Sequence, residues 1–423
     1  MRIVVVNYRY FISGGPERYM FNITDSLSEN GHEVIPFSIQ YTRNKYSKYE
    51  NYFVEPLGSR DEITFQEQRL RLRTIWRTFL RLFFSPDVER AVIRLVDDTK
   101  PQIAYILHYL RKLSPSILVG LKKAGLPIVV RLSDYAMLCP QAHCLRAGMP
   151  CELCINGNLL PSIRYQCLHD SLMMSTVNAL ATWYHRYRGY FDLIDRFVLT
   201  NRFMYMMMIK AGYPENRLQL IPTIYNDNAF YTSPNFIKDG YIVFVGRLEV
   251  IKGVHILLDA LVLLKKKRPN LNIHLKIIGA GNKEYYNLLI NKIRLESLQD
   301  MVDFVGEQSL AEVSSLLRRA QLSVIPSIVY ENFPNVLVES YACGTPVLAS
   351  DIGSITEGVK NGETGYLFKP GDPNSLASRL EYCMDHPRHL YTMARNARKI
   401  AEEKYSQNQH LSMLEELFND LID

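Results

Sequence analysis

Residues 241–281 read YIVFVGRLEVIKGVHILLDALVLLKKKRPNLNIHLKIIGAG. Two short runs rich in Ile, Val and aromatic residues, Tyr241 to Val245 and Leu271 to Ile278, have the composition of buried strands. Between them, His255 to Lys267 carries apolar side chains at the three- and four-residue spacing of a helix. A strand, a helix and a second strand form a βαβ unit, whose strands run parallel because no tight hairpin joins them. Working outward, Val302 to Val305, Leu322 to Ile325, Pro346 to Ala349 and Gly365 to Phe368 read as further strands. Lys283 to Arg294 and Leu310 to Arg319 read as helices among them. Such alternation predicts an open parallel sheet flanked by helices.

The N-terminal half repeats the pattern. Ile3 to Val6 is a buried strand, Gly14-Gly15 breaks it, and Pro16 suits the first position of a helix, where its missing N–H costs nothing. Tyr19, Ile23 and Leu27 recur at helical spacing, Gly31 stops the helix, and Val34 to Ile39 is the next strand. The linking segment PTIYNDNAFYTSPNFIKDG begins at Pro222 and is rich in Asn, Pro, Ser and Thr. The expected organisation is an α/β protein of two doubly wound domains facing across a cleft. The first spans 1–222, with a cysteine-rich insertion at 139–167. A linker covers 223–240, the second domain spans 241–400, and a C-terminal helix occupies 401–423 and crosses back to the first domain.

The chain has 423 residues, 47% hydrophobic and 22% charged, which excludes a disordered or collagen-like protein. Its net charge of +6 is too mild for its length to argue for nucleic acid. MRIVVVNYRYF at the N-terminus has no secretory apolar region, and no stretch reaches the roughly 18 apolar residues of a spanning helix. A cytoplasmic chain is expected, with a possible peripheral place on the cytoplasmic face of a membrane. In that setting seven cysteines are not a disulfide framework.

The chemistry concentrates in SIVYENFPNVLVESYACGTPVLA, Ser327 to Ala349. Pro334 suits a helix start, and eight residues of helix rise about 12 Å. Glu331 then sits at the helix mouth and Glu339 about two turns inside. The N–H groups near Phe333, Asn335 and Val336 are helix-start donors, a natural phosphate site. Alone, two such glutamates would read as solvated surface. They are not alone, because YIVFVG delivers Arg247, and Lys252 follows just before the next helix, which makes an anion cradle. Gly279-Ala280-Gly281 ends another strand, where backbone approaches a ligand closely. All three elements sit at C-terminal strand ends of one sheet, where open α/β folds bind ligands.

GRLEVIKGV, IIGAG, VDFVG and the Glu331/Glu339 pair resemble the donor domain of the retaining family 4 glycosyltransferases (glycosyl transferase group 1), which have the GT-B fold of two Rossmann-like domains. GGPERYMFNITDSLSENGHEV, LSPSIL and the cysteine-rich stretch carry the resemblance into the first half, least well from Arg43 to Ser85. The resemblance implies a hexosyltransferase that moves sugar from a UDP- or GDP-sugar to a glycan or lipid-linked acceptor, in cell-surface polysaccharide synthesis. It needs no catalytic metal. Arg247 and Lys252 would bind the diphosphate, Glu331 would contact the transferred sugar, and Glu339 would hold the ribose. Backbone near Phe304, Val305 and Gly306 would meet the nucleobase edge, and Gly279 would belong to the donor site. Asn332, Phe333, Asn335 and Val336 would line the donor site, and Gly14-Gly15 would approach the phosphates. The resemblance fails at VVRLSDY, where Ser133 replaces the usual His and Asp134 remains. Ser133, Asp134 and His108 are therefore the acceptor-side candidates. Two other readings stand beside this one: a nucleotide-sugar epimerase or phosphorylase of the same fold, and a non-catalytic nucleotide-sugar-binding partner of another transferase.

Five cysteines lie within 139–167. A Cys-x2-Cys core with flanking thiols has the ligand count of a structural zinc site. Cys139, Cys151, Cys154 and Cys167 are the expected ligands, at positions similar to those in related sequences, and Cys144 is the spare. Buried thiols packing as small hydrophobes are the alternative. Gln66 to Phe84, QEQRLRLRTIWRTFLRLFF, places Arg69, Arg73, Arg77 and Arg81 on one helix face beside an apolar arc. Basic, aromatic helices of this kind lie on anionic membrane surfaces, although an ordinary helix packed on the first domain has the same pattern.

Overall fold

The computed structural model describes residues 1–61, 72–233, 236 and 238–422. The first sheet comprises β1 (Arg2–Asn7), β2 (Glu33–Phe37), β3 (Ile103–His108), β4 (Ile128–Arg131), β7 (Arg196–Leu199) and β8 (Leu218–Leu220). Between β4 and β7, the two-residue strands β5 (Leu145–Arg146) and β6 (Met149–Pro150) pair antiparallel in the cysteine-rich insertion. The second sheet comprises β9 (Tyr241–Val245), β10 (His274–Ile278), β11 (Val302–Gly306), β12 (Leu322–Ile325), β13 (Val347–Ser350) and β14 (Gly365–Phe368). The orders are β2-β1-β3-β4-β7-β8 and β11-β10-β9-β12-β13-β14, and every pairing within them is parallel.

The order follows from burial. Ile3, Val4 and Val6 are fully inaccessible, as are Ile242 and Val243, so the first strand of each domain takes a central place with a neighbour on each side. Because β9 lies between β10 and β12, the strand order reverses beside it, and the loop carrying Arg247 and Lys252 opens at that switch point. Leu271 to Ile273 precede β10 rather than forming part of it, because Pro269-Asn270 lead into a turn closed by Leu271 N–H on Arg268 O at 3.0 Å.

The helix Gln407–Ile422 crosses back to the first domain. Leu411, Leu414, Leu417 and Phe418 join Ile3, Val5, Ile23 and Leu27 in one core cluster. His410 Nε2 lies 2.8 Å from the Tyr19 hydroxyl, which is 2.7 Å from that of Tyr105. Burial holds the His410 imidazole down at about 4, so it stays neutral in this network.

Candidate active site

The C-terminal strand ends of both sheets face one cleft of about 450 Å3. Its second-domain wall carries Arg247, Lys252, Ser327, Glu331, Asn332, Phe333, Asn335, Val336 and Glu339, and its first-domain wall carries Gly15, Arg18, His108, Arg131, Ser133, Asp134 and His143. Lys252 ends a 3-10 turn, Val250–Lys252, and its Nζ lies 2.6 Å from Glu331 Oε1. Ser327 Oγ donates to the same oxygen at 2.8 Å. Burial pushes the Glu331 carboxyl up, but Lys252, Ser327 and Arg247 outweigh it and hold it below the ordinary glutamate value. Arg247 pairs with Glu249 at 2.8 Å and leaves its guanidinium 67% exposed at the mouth.

Glu339 lies within the helix Asn335–Ala342, which Pro334 precedes with no side-chain cap, so its first-turn donors face the cleft. Glu331 stands in the loop before that helix and not at its first turn. Arg18, on the first helix of the other domain (Gly15–Glu29), reaches across the cleft to Glu339 Oε1 at 3.1 Å. Burial raises the Glu339 carboxyl and Arg18 offsets only part of the rise. The two glutamates are thus pushed in opposite directions: Glu331 is held charged, while Glu339 is easily protonated.

The two walls touch. A Cβ on Gly15 would come within 2.8 Å of Asn335 Nδ2, so any side chain there would displace the Asn335 amide. The Tyr135 hydroxyl donates to the Glu331 carbonyl at 3.0 Å, and Asn332 Nδ2 donates to the Leu132 carbonyl at 2.9 Å. Asn201 Nδ2 donates to the Asn332 carbonyl, and the Arg202 N–H donates to Glu357 Oε2 at 2.7 Å. These bonds hold the loop bearing Glu331 against the first domain.

On the first-domain wall, His108 Nε2 lies 3.3 Å from Asp134 Oδ2, and the Ala136 N–H donates to Asp134 Oδ1 at 2.8 Å. Burial pushes the Asp134 carboxyl up, yet His108, this N–H and Arg111 together hold it below the usual value, which makes Asp134 a weak base. Ser133 Oγ accepts from Arg131 Nη1 at 3.2 Å. His143, kept neutral by burial, lines the same wall.

Gly279, Val305 and Gly306 stand just outside the cleft. Gly279 has φ +132°, and a Cβ there would lie 2.0 Å from the carbonyl oxygen of Gly246, a cleft-lining residue. Its N–H donates to the Gly306 carbonyl at 2.8 Å, so these positions continue the cleft floor. Gly14 is extended, with φ −178°, and lies beside the cleft without lining it. Three basic cleft residues escaped the sequence reading: Arg18, Arg131 and His143. Arg18 was legible, since GGPER sets an Arg after a glycine turn at a helix start, as GRLEVIKG does. Arg131 was not: it is 6% exposed, stacks 3.8 Å from the Tyr19 ring centre, and has no carboxylate within ion-pair distance among the described residues.

The cysteine-rich insertion gathers its thiols. Cys139, Cys151, Cys154 and Cys167 do line one small cavity, of about 10 Å3. Among the described residues, however, no group of three or more His, Cys, Asp or Glu side chains is placed to hold a metal ion. Cys139 meets Cys144, the expected spare, and this contact with nearby backbone N–H groups holds its thiol down at about 6. The basic helix also differs. Arg69 and Arg71 lie outside the described residues, as do the side chains of Arg73 and Arg77. Arg81 is 4% exposed, pointing inward to donate to the Glu55 carbonyl at 3.2 Å, so it is not on a solvent face. Among the described residues no helix is long and apolar enough to cross a membrane.

Residues 229–400 match the family "Glycosyl transferases group 1". That match lies over the second domain and spans less than half of the chain. The chain is 37% identical over 158 residues to glycogen synthase of Mycobacterium tuberculosis. It is 32% identical over 164 residues to D-inositol 3-phosphate glycosyltransferase of Paenarthrobacter aurescens. These matches span 37% and 40% of the relatives' own lengths, and 37% and 38% of this chain. Solved structures extend the fold to the whole chain. Anabaena HepE, solved with UDP, superposes with a TM-score of 0.67 at 19% identity over 100% of both chains. Sucrose-phosphate synthase from Thermosynechococcus elongatus superposes with a TM-score of 0.72 at 17% identity, over 99% of this chain and 98% of that one. The fold is GT-B, with the second domain forming the half of the cleft that holds Arg247, Lys252, Glu331 and Glu339.

Proposed function

We propose that the chain is a retaining glycosyltransferase that moves a sugar from a nucleoside diphosphate sugar to a glycan or lipid-linked acceptor in cell-surface polysaccharide synthesis. The observation that carries this reading is the cluster of Lys252, Ser327 and Glu331, joined at 2.6 and 2.8 Å beneath an uncapped helix start. The donor diphosphate lies against Lys252, Arg247 and the first N–H groups of that helix. The acceptor oxygen bonds to the anomeric carbon as the sugar–phosphate bond breaks. The electron pair leaves on the diphosphate, where fixed positive charge stabilises it. Asp134 is a weak base, so the acceptor proton passes to the departing phosphate oxygen, on the same face as attack, and configuration is kept. Glu331 receives the sugar hydroxyls and Glu339 those of the ribose.

HepE was solved with UDP and with UDP-glucose, which supports a UDP-sugar as the first donor to try. Purified protein given a panel of UDP- and GDP-sugars is expected to gain thermal stability with one nucleotide series, and to release that nucleotide when acceptor is added. NMR of the product is expected to show the anomer of the donor. The opposite anomer, or nucleotide binding without transfer to any lipid-linked or soluble glycan tried, would overturn the proposal.

A further inference from the structure

Arg131 is the last residue of β4 and lines the cleft from the first-domain side. Alternation along the strand puts it on the face of Val129, which packs with Tyr19 and Tyr105 in the core shared with the C-terminal helix. An arginine side chain stays charged at any working pH. Here the charge has little to answer it. Nη1 donates to Ser133 Oγ at 3.2 Å and Nη2 to Thr223 Oγ1 at 3.4 Å, both neutral hydroxyls at or beyond the usual limit of a hydrogen bond. Nε is buried with no partner among the described residues. The Tyr19 ring covers the guanidinium, and the ionisable groups around it are held neutral: burial raises the Tyr19 and Tyr105 hydroxyls and keeps the His410 imidazole down.

The other long cations of the cleft are each answered by a carboxylate. Lys252 meets Glu331, Arg247 meets Glu249 and Arg18 meets Glu339. Among the described lysines and arginines that line the cleft, only Arg131 has no such partner. A cation buried without a counter-ion is costly, and an apolar side chain of similar size often serves a fold as well or better. The cost is offset when an oxyanion arrives, because the guanidinium fork matches the geometry of carboxylate and phosphate. The donor does not meet this need, since its diphosphate lies against Lys252 and Arg247 on the opposite wall in the transfer proposed above.

We propose that Arg131 binds an oxyanion of the acceptor, a phosphate or a carboxylate, and so selects an acidic acceptor. This rests on the transfer reading and narrows its acceptor to a glycan or lipid-linked glycan that brings a negative group into the cleft. In the test, UDP, or GDP if the donor panel selects it, first fills the diphosphate cradle to saturation. The protein is then titrated with sodium phosphate or sodium glucuronate against sodium chloride of equal ionic strength, and the melting temperature is followed. Wild type is expected to gain stability from at least one of the two beyond the chloride control. Phosphate acting at the lower concentration assigns a phosphorylated acceptor; glucuronate acting at the lower concentration assigns an acidic sugar. Arg131→Met is expected to keep its response to the nucleotide and to weaken the apparent affinity for the anion at least about tenfold, the scale of one charge-assisted hydrogen bond. Arg131→Lys, a point charge without the fork, is expected to lose severalfold. Arg131→Gln carries the same measurement should the Met variant fail to fold. Wild-type protein that binds nucleotide yet ignores both anions overturns this proposal and leaves the transfer reading standing. A full anion response in the uncharged variants also overturns it, because the anion then binds elsewhere. Protein that binds neither nucleotide fails the transfer reading itself, and this inference with it.

Discussion

Removing Arg18 tests the cleft at its most sensitive contact. Arg18→Met keeps most of the aliphatic bulk and deletes the guanidinium that meets Glu339 at 3.1 Å. Two unit charges at that separation attract by about 5 kcal/mol at an effective dielectric near 20. The Arg18 side chain is 34% exposed, so solvent screening discounts this heavily, and a loss of about 1–3 kcal/mol is the expected scale. The loss depends on pH in a definite direction. Burial already raises the Glu339 carboxyl in the folded protein, so folding is favoured when it holds its proton, below the unfolded carboxylate value. That advantage disappears as pH rises through the folded value. Without Arg18 the folded value climbs further, so the variant is expected to lie close to wild type near pH 5 and to fall well below it near pH 8. Urea unfolding at both pH values reads the difference, and Arg18→Met with Glu339→Gln is expected to recover most of it. Equal losses at pH 5 and pH 8, or no recovery in the double variant, would refute the reasoning. The same pair bears on function: a ribose reaching Glu339 meets Arg18 there, so Arg18→Met is expected to change nucleotide affinity as well as stability.

Lys252→Ala is expected to cut turnover at least tenfold and also to destabilise the fold, because it strands the buried Glu331 carboxylate; Arg247→Ala, at an exposed position, is expected to cut turnover with little effect on melting temperature. Near-normal turnover in both variants would remove the leaving-group role. Asn201→Ala is expected to cost about 1–2 kcal/mol, because it leaves the Asn332 carbonyl short of a donor and loosens the loop under Glu331; an unchanged denaturation midpoint would contradict the clasp. The Cys139 thiol, held at about 6, is expected to be alkylated with a rate that levels off above pH 7, while Cys154, pushed up to about 12, still gains rate at pH 9. Mass mapping of iodoacetamide adducts reads both, and Cys144→Ser should move the Cys139 profile upward.

The fold was legible because its signals are local. A strand buried on both faces needs a continuous run of Ile, Val and Leu wherever it ends up, and Ile3 to Val6 and Tyr241 to Val245 have no other good environment. The donor wall was legible for the same reason. Arg247 and Lys252 share one loop, and Glu331, Pro334 and Glu339 share another with its helix, so sequence spacing alone brings them together. The strand ends of one parallel sheet then deliver both loops to one cleft.

The remaining features depend on contacts between distant segments. Arg18 meets Glu339 only because the two domains close on each other, and Gly15 faces the Asn335 amide for the same reason. Arg81 shares its four-residue spacing with arginines expected in water, yet it turns inward because the Glu55 carbonyl lies on that side. The spacing of the cysteines does not reveal that Cys139 meets Cys144; the fold of the insertion decides it. In Leu172–Tyr187 the apolar residues surround most of the helix, so periodicity does not reveal that Trp183 and Tyr187 face outward; the insertion that covers the opposite face decides it. Sequence by itself determined which backbone segments are strands and helices and which charges share a loop, because those follow from burial and spacing along one stretch of chain. Tertiary structure alone decided which carboxylate meets which cation, which thiol meets which thiol and which aromatic rings face solvent, because each is a distance between segments that the chain brings together only by folding.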